Sequence, residues 1–595
     1  MSMKTVLISQ GTCCKSAGAD RVLAAMEREL SEVGLEAIVK TPGCHGFSEI
    51  DPVVVIEPDG ILYAKVKAED VPKIVQSLMD ENRLAKGLYY RDPVTNEGIP
   101  YAQDIPFFNK QQRTILKNCG VLDPRDINDY MEAGGYRAVR KALLEMTPAQ
   151  VVAEVKRSGL RGLGGAGFPT GKKWEMCAAA HGEIKYVICN ADEGDPGSFQ
   201  DRSILEGDPH AVLEGLILAG YAVGAQESYL YVRAEYPLAI KNLQIAIDQA
   251  KEKGFIGDDI LGSGFKFDIK IFQGAGAFVC GEETALIQSL EGKRGMPYPR
   301  PPYPVIAGLH GKPTLIDNVK TLASVRWIIN QGADWLASRG TETSKGTAVF
   351  SITGKVANCG LVEVPMGITM REIVFEIGGG VPGGKKFKAV QTGGPSGGCL
   401  PGALLDTAID FDTLRAAGSM MGSGGMVVMD EDTCMVDTAR YFLDFSLKES
   451  CGQCVPCRLG TMQMHEILTR ITKGEGKMSD LDLLMELSEG VAKGSLCGLG
   501  KTAPNPVMTT LRYFRDEYEA HINEGRCPSR SCKALISYSI NAEKCKGCSI
   551  CLKACPVDAI TGARKEIHVI DGSKCTKCGI CLDVCPDAFG AVECV

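Results

Sequence analysis

One thiol pattern, written twice, limits this chain more than any other feature. Cys545-x2-Cys548-x2-Cys551-x3-Cys555-Pro556 recurs thirty residues later as Cys575-x2-Cys578-x2-Cys581-x3-Cys585-Pro586. Three thiols on one short loop is metal spacing, not disulfide spacing. A third group, Cys451-x2-Cys454-x2-Cys457, has Cys497 forty positions beyond it, so twelve of the 25 cysteines fall into three groups of four. The N-terminal stretch Met1-Ser-Met-Lys-Thr-Val-Leu-Ile-Ser9 lacks the apolar core of an export signal. No run approaches the roughly 20 apolar residues of a membrane helix. A reducing cytoplasmic setting is therefore expected, with no direct membrane contact, and clustered thiolates there read as iron–sulfur or zinc sites.

The repeated run has the spacing of bacterial two-cluster ferredoxins, in which the fourth Cys of each run ligates the other cluster. One [4Fe–4S] cluster is expected on Cys545, Cys548, Cys551 and Cys585, and another on Cys575, Cys578, Cys581 and Cys555. A third is expected on Cys451, Cys454, Cys457 and Cys497. Structural zinc is the alternative for each group. Three clusters in one chain make electron transfer the expected function. A net charge of −8 and a pI near 5.6 leave no basic surface for nucleic acid.

Five segments separate by pattern, and together they predict an α/β multidomain protein. Residues 1–85 alternate strand, helix, strand and strand, as a small α/β domain does. Residues 86–335 place glycines where strands such as Tyr186–Cys189 turn into helices such as Ala211–Ala222, which predicts a doubly wound, Rossmann-like α/β domain. Residues 336–430 break short strands, including Thr347–Thr353 and Phe387–Thr392, with Gly-Gly turns and suggest a β-grasp-like module. Residues 431–525 return to helical periodicity, with Met462–Ile471 and Leu481–Val491 around the third Cys group, and predict a helical bundle. Residues 526–595 hold the duplicated motif.

Two Gly-rich stretches mark the expected nucleotide site. Gly162, Gly164, Gly165, Ala166 and Gly167 precede a helix, and Gly274-Ala-Gly276 leads into Gly281-Glu282-Glu283. Successive glycines let backbone N–H groups approach a phosphate, and the helix adds its positive N-terminus. Asn190-Ala-Asp192-Glu193-Gly-Asp195 follows a strand and offers short polar acceptors for hydroxyls. A cluster-bearing chain that takes hydride needs a two-electron to one-electron converter, which flavin supplies.

At these residues the sequence resembles a known family. GLRGLGGAGFPTGKKW, NADEGDPGSFQDR, GAGAFVCGEET, PPYP with GKPTLIDNV, and ESCGQCVPCRLGT are similar to the FMN- and NADH-binding subunit of respiratory complex I and its relatives, over about 120–500. The layout resembles the flavin subunit of NAD-dependent, electron-bifurcating [FeFe]-hydrogenases, with a thioredoxin-like domain before it and a two-cluster ferredoxin domain after it. NADP-reducing hydrogenases and NAD-dependent formate dehydrogenases are similar. The resemblance implies FMN on the first Gly loop, Lys173, Asn190, Asp192, Glu193, Gly281, Glu282 and the Asp317-Asn318 pair. It implies NAD(H) near Phe168 and Tyr303, with Asp195 and Glu283 close to the ribose hydroxyls, where an acid disfavours a 2′-phosphate. Two departures stand out: Asp317 replaces a customary Asn, and Met176 replaces an aromatic that sandwiches adenine in some members. No general base is expected, because hydride transfer needs positioning rather than acid–base groups.

Relatives carry a [2Fe–2S] cluster on two Cys pairs of the first domain. Here Ser9 and Ser48 occupy the outer positions, leaving Cys14 and Cys44, with Cys13 adjacent. Serine is a poor substitute for thiolate toward iron, so this domain is expected to have lost its cluster. His521-x5-Cys527-x4-Cys532, together with Cys434, has the composition of a Cys3His structural zinc site. No Cys group remains for a hydrogen-forming diiron centre. The expected partners are therefore a hydrogenase or formate dehydrogenase catalytic subunit, a small thioredoxin-like [2Fe–2S] subunit, and ferredoxin. An electron-wiring subunit with an empty flavin pocket is the non-catalytic alternative.

Overall fold

The computed structural model describes residues 3–80 and 83–595. Met1 and Ser2, which open the stretch read for an export signal, lie outside the described residues. The first unit is a four-stranded sheet in the order Ile38–Lys40, Thr5–Ile8, Val54–Glu57, Ile61–Tyr63. Only the first pair is parallel. Helix Ala19–Val33 ends where Gly34 turns left-handed at φ 64°, and it packs Val22, Met26 and Leu30 onto the sheet.

The second unit carries the site. Four parallel strands lie in the order Thr314–Asn318, Tyr186–Ala191, Glu227–Arg233, Asp268–Gly274. Apolar residues cover all sides of helix Pro209–Val223, which accordingly runs through the core. Gly215 permits this: a Cβ there would lie 2.2 Å from the Leu322 carbonyl oxygen of helix Val319–Gln331. The one acid in that helix, Glu214, accepts from Tyr130 Oη at 2.6 Å and from the Ala138 backbone at 3.1 Å.

A five-stranded mixed sheet follows, in the order Gly360–Pro365, Thr347–Gly354, Gly425–Asp430, Phe387–Thr392, Cys399–Pro401. Its core is continuous with that of the second unit. Helices Met435–Lys448, Thr461–Thr472, Ser479–Gly494, Asn505–Tyr513 and Arg515–Asn523 then form the bundle. The last unit pairs Tyr538–Ile540 with Val592–Cys594, and Ile560–Thr561 with Val569–Ile570, around two short helices that carry Cys551 and Cys581. Among the described residues no helix is long and apolar enough to cross a membrane.

Residues 86–116 connect the first unit to the rest, and Glu363 fixes this connection. Its fully buried carboxylate accepts from the backbone N–H groups of Thr114, Ile115 and Leu116, each at 2.9 Å, and from Thr347 Oγ1 at 2.5 Å. Glu363→Ala strands three buried donors, which is expected to destabilise the chain by roughly 3 kcal/mol or more. The check is the urea midpoint against wild type, where an unchanged midpoint contradicts this role.

Candidate functional site

The four parallel strands end at one edge, and polar residues gather just beyond their C-termini. Open α/β sheets place ligands there because side chains and loops diverge at that edge. Asn190 and Asp192 come from the first of these strands in sequence, Arg233 from the second, Gly274 from the third and Asp317-Asn318 from the last.

The first Gly loop closes on itself. Gly162 N–H donates to the Phe168 carbonyl at 2.9 Å and Arg161 Nε donates to the Gly167 carbonyl at 2.7 Å. Gly165 and Gly167 take φ of 123° and 65°, and a Cβ on Gly164 would lie 2.9 Å from Asn318 Cβ. The loop therefore tolerates no side chains where its backbone meets the strand end. Gly281 closes the opposite side, its carbonyl accepting from Asn190 Nδ2 at 2.8 Å.

Asp192 is the clearest sign of a ligand. Both carboxylate oxygens are buried without a hydrogen-bond partner, and the nearest cation, Arg233, is 4.0 Å away. Buried polar atoms are normally satisfied, so this pair of acceptors fits the hydroxyls of a ribityl or ribose chain. The two polar atoms of the fully buried Gln200 side chain are likewise without partners. Burial pushes the Asp192 carboxyl up to about 7, with Arg233 opposing.

Other expected contacts already have partners in the protein. Glu193 accepts from the backbone of Asp201 at 3.0 Å and Arg202 at 3.1 Å at the start of helix Gln200–Gly207, and burial lifts it to about 7. Glu282 caps helix Glu283–Leu290 by accepting from Thr284 N at 2.8 Å and Ala285 N at 3.0 Å. Lys173 pairs with Asp317 at 3.0 Å and Glu283 at 3.4 Å and donates to the Ile316 carbonyl at 2.5 Å. Burial works against its charge, but these two acids outweigh that and hold it above the usual lysine range.

The same contacts account for the Asp at 317. Its second oxygen accepts from Trp174 Nε1 at 2.7 Å, so the acid is compensated on both sides. Met176 packs against the main core, which makes it a core residue in this chain. Phe168 and Tyr303 are exposed.

Sequence reasoning missed the part played by the third unit. Its Gly-rich loops reach back over the pocket: a Cβ on Gly394 would sit 2.3 Å from Asp195 Oδ2, and Ser423 Oγ lies 2.9 Å from Ser198 Oγ. Asp195 thus faces these loops, and burial raises it to about 6. Lys320 spans the same seam, pairing with Asp201 at 3.3 Å and donating to the Ser423 carbonyl at 2.8 Å. Among sequence signals, only its place at a strand end marks Arg233, and the Gly-Gly runs read simply as turns.

The loop Phe278–Gly281 touches the pocket on one side and the Cys451 loop on the other. Phe278 N–H donates to Glu449 Oε2 at 3.1 Å, and Arg294 Nη2 donates to the Cys451 carbonyl at 3.4 Å. Cys451 packs against the small core to which Val279 and Cys280 belong. Burial raises Cys457 to about 11, with Cys454, Cys497 and Cys451 as charged neighbours, and Cys497 also feels Glu282.

In the last unit Cys575, Cys578, Cys581 and Cys555 line one cavity, bringing together the set expected from cross-ligation. Cys545 and Cys548 neighbour Cys551, whose small core also holds Cys585. His568, which has no ligand spacing in the sequence, is buried 4.0 Å from Cys545 Sγ.

Cys434, His521, Cys527 and Cys532 are all buried, with ligand atoms within 4.8 Å of one another. His521 Nε2 lies 3.5 Å from Cys434 Sγ and 3.3 Å from Cys532 Sγ. Its Nδ1 is 2.7 Å from the Glu517 carbonyl, an arrangement that leaves Nε2 free to bind a metal.

Three regions of the chain match known families. Residues 155–327 match the Nuo51 FMN-binding domain, 437–521 the NADH-ubiquinone oxidoreductase-F iron-sulfur binding region, and 538–593 a 4Fe-4S dicluster domain. The chain is 56% identical over 459 residues to the NADP-reducing hydrogenase subunit HndC of Solidesulfovibrio fructosivorans, covering 77% of this chain and 93% of that protein. It is 49% identical over 414 residues to the F 2 subunit of the NADH-quinone oxidoreductase of Rhizobium meliloti (strain 1021), covering 70% and 98%. Among solved structures, the NAD+-reducing [NiFe]-hydrogenase in the H2-reduced state matches with a TM-score of 0.62 at 29% identity, covering 87% of this chain and 84% of that one.

The Asp192 carboxyl makes stability depend on pH. Its pKa is raised in the fold from 3.8 to about 7, so the folded flavin-free chain retains a proton that the unfolded chain releases. Its contribution is complete below pH 4 and is lost as pH rises through 7, on the order of 4 kcal/mol. Asp192→Asn is expected to flatten this part of the curve while weakening FMN retention. Unfolding curves between pH 4 and 8 check the first effect and flavin absorbance the second; identical curves contradict the assignment.

Proposed function

The chain belongs to the family of NADH-ubiquinone oxidoreductase F subunits, and from that premise we propose that it moves hydride between NAD(H) and FMN and relays single electrons through the Cys451, Cys454, Cys457 and Cys497 cluster. It is an NAD(P)H-oxidising flavin and iron–sulfur oxidoreductase subunit of the kind found in complex I-like and hydrogenase assemblies. Bound FMN supplies the exchange between two-electron and one-electron chemistry.

The observation that carries this reading is the loop Phe278–Gly281, whose residues contact both the crevice and the Cys451 loop. In this reading the Gly162–Gly167 turn admits a phosphate, and Asn190 and Asp192 hold hydroxyls. The exposed rings of Phe168 and Tyr303 offer stacking surface to the nucleotide. Glu283 and Asp195 keep the ribose region acidic, favouring NAD(H) over NADP(H). These groups bind and orient; none is assigned a proton.

The C-terminal ferredoxin unit provides a second outlet, to which a separate ferredoxin docks. Zinc on Cys434, His521, Cys527 and Cys532 sets its position against the bundle. Two outlets around one flavin suit electron bifurcation in a cytoplasmic assembly. Similarity to two hydrogenases favours a hydrogenase catalytic subunit as the main partner, on another chain, over a formate dehydrogenase.

Anaerobic purification followed by cofactor analysis and nucleotide titration tests this reading. One FMN and about twelve iron atoms per chain are expected from the three clusters. NADH should bleach the flavin and clusters more readily than NADPH, and Cys532→Ser should lose one zinc. Iron without flavin, and no response to NADH, would leave only the electron-wiring role.

A further inference from the structure

The first unit holds a thiol group that the electron path does not use. Cys13, Cys14, Cys44 and Asp51 place their ligand atoms within 4.8 Å of one another. Cys13 and Cys14 Sγ are 3.8 Å apart, and Cys14 Sγ is 3.3 Å from Asp51 Oδ1. A tetrahedral ion with bonds of about 2.3 Å to sulfur and 2.0 Å to oxygen separates its ligands by about 3.8 and 3.5 Å. A two-iron centre holds its ligand pairs on opposite sides of a diiron core, and Ser9 and Ser48 have removed half of its thiols. The residues present therefore fit one ion rather than two.

We infer that Cys13, Cys14, Cys44 and Asp51 bind a single zinc ion, a site separate from the electron path proposed above. A second, independent observation is the state of Asp51. Its side chain is only 2% exposed, and Oδ2 is buried without a hydrogen-bond partner. A buried carboxylate beside three thiols is costly unless a cation joins them.

The surroundings are those of a ligand shell. Gly46 N–H donates to Cys44 Sγ at 3.2 Å. Phe47 N–H donates to His45 Nδ1 at 3.1 Å, which leaves the ring proton on Nε2, 3.7 Å from Asp51 Oδ1. Thiolates prefer zinc or iron among the common ions, and one oxygen completes a closed structural site without redox activity.

The site lies where the first unit meets the flavin-type unit. Thr12 donates from N at 2.8 Å and from Oγ1 at 2.5 Å to the Glu206 carboxylate. A Cβ on Gly43 would lie 2.3 Å from Gly207 Cα, so the 44–51 loop rests directly on that unit. Zinc would join the short helix Thr12–Ser16 to the 44–51 segment and fix this seam, making the first unit a dock and not a third electron outlet.

The test measures zinc, iron and FMN in the full-length chain purified anaerobically without chelator. Cys14→Ser and Cys44→Ser should each lower zinc by one atom per chain, with iron and FMN unchanged. Cys532→Ser reports the bundle site separately, so failure of one zinc assignment does not imply failure of the other. In wild type, the partly buried Cys13 should resist iodoacetamide until a chelator removes zinc, a readout that needs no variant. Unchanged zinc in both variants, loss of two irons in place of zinc, or rapid alkylation of Cys13 before chelation would overturn the inference.

Discussion

Buried anions have to meet a donor or a cation, and this constraint organises the chain from end to end. Carboxylates and thiols that would be unfavourable in an apolar interior are collected at a few points and compensated there. Asp317 is held between Lys173 and Trp174, Asp208 takes Arg326 at 3.1 Å, and Glu363 gathers three backbone donors. Where compensation is incomplete, as at Asp192 and Asp51, the group lies in a pocket or among thiols. The contrast marks Asp192 and Asp51 as candidates to face a ligand.

The contrast changes how the crevice is understood. Glu193 and Glu282, both expected to touch the flavin, also support helix N-termini, Glu193 with both carboxylate oxygens and Glu282 with Oε2 alone. The third unit is more than a spacer, because its loops at Gly394 and Ser423 cover Asp195 and Ser198. Two sheets far apart in sequence thus share one pocket wall, with Lys320 linking them.

Much of the secondary structure was legible from periodicity. The strand expected at Phe387–Thr392 has those bounds, and the helix expected over Ala211–Ala222 extends only to Pro209–Val223. The strands expected at Tyr186–Cys189 and Thr347–Thr353 run on to Ala191 and Gly354. Local pattern sufficed there because alternation and apolar content report burial directly. It did not reveal Arg233 or Lys320, which lie on an ordinary strand and helix with no motif of their own, nor did it single out Gln200 within the NADEGDPGSFQDR run. Nor did it place His568 beside Cys545, since that contact spans two loops of the small unit.

The sequence by itself determined the chemistry on offer: twelve thiols at cluster spacing, two glycine loops and the family they resemble. Ligand type and spacing are covalent properties of the chain, so they survive without coordinates. The tertiary structure decided which groups are free to use that chemistry. It brought Cys434 to His521 across 87 positions and Cys14 to Asp51 across 37, and it gave several expected ligands cap and counter-ion contacts within the protein. Those outcomes depend on which chain segments pack together, and no local pattern encodes a partner that only folding supplies.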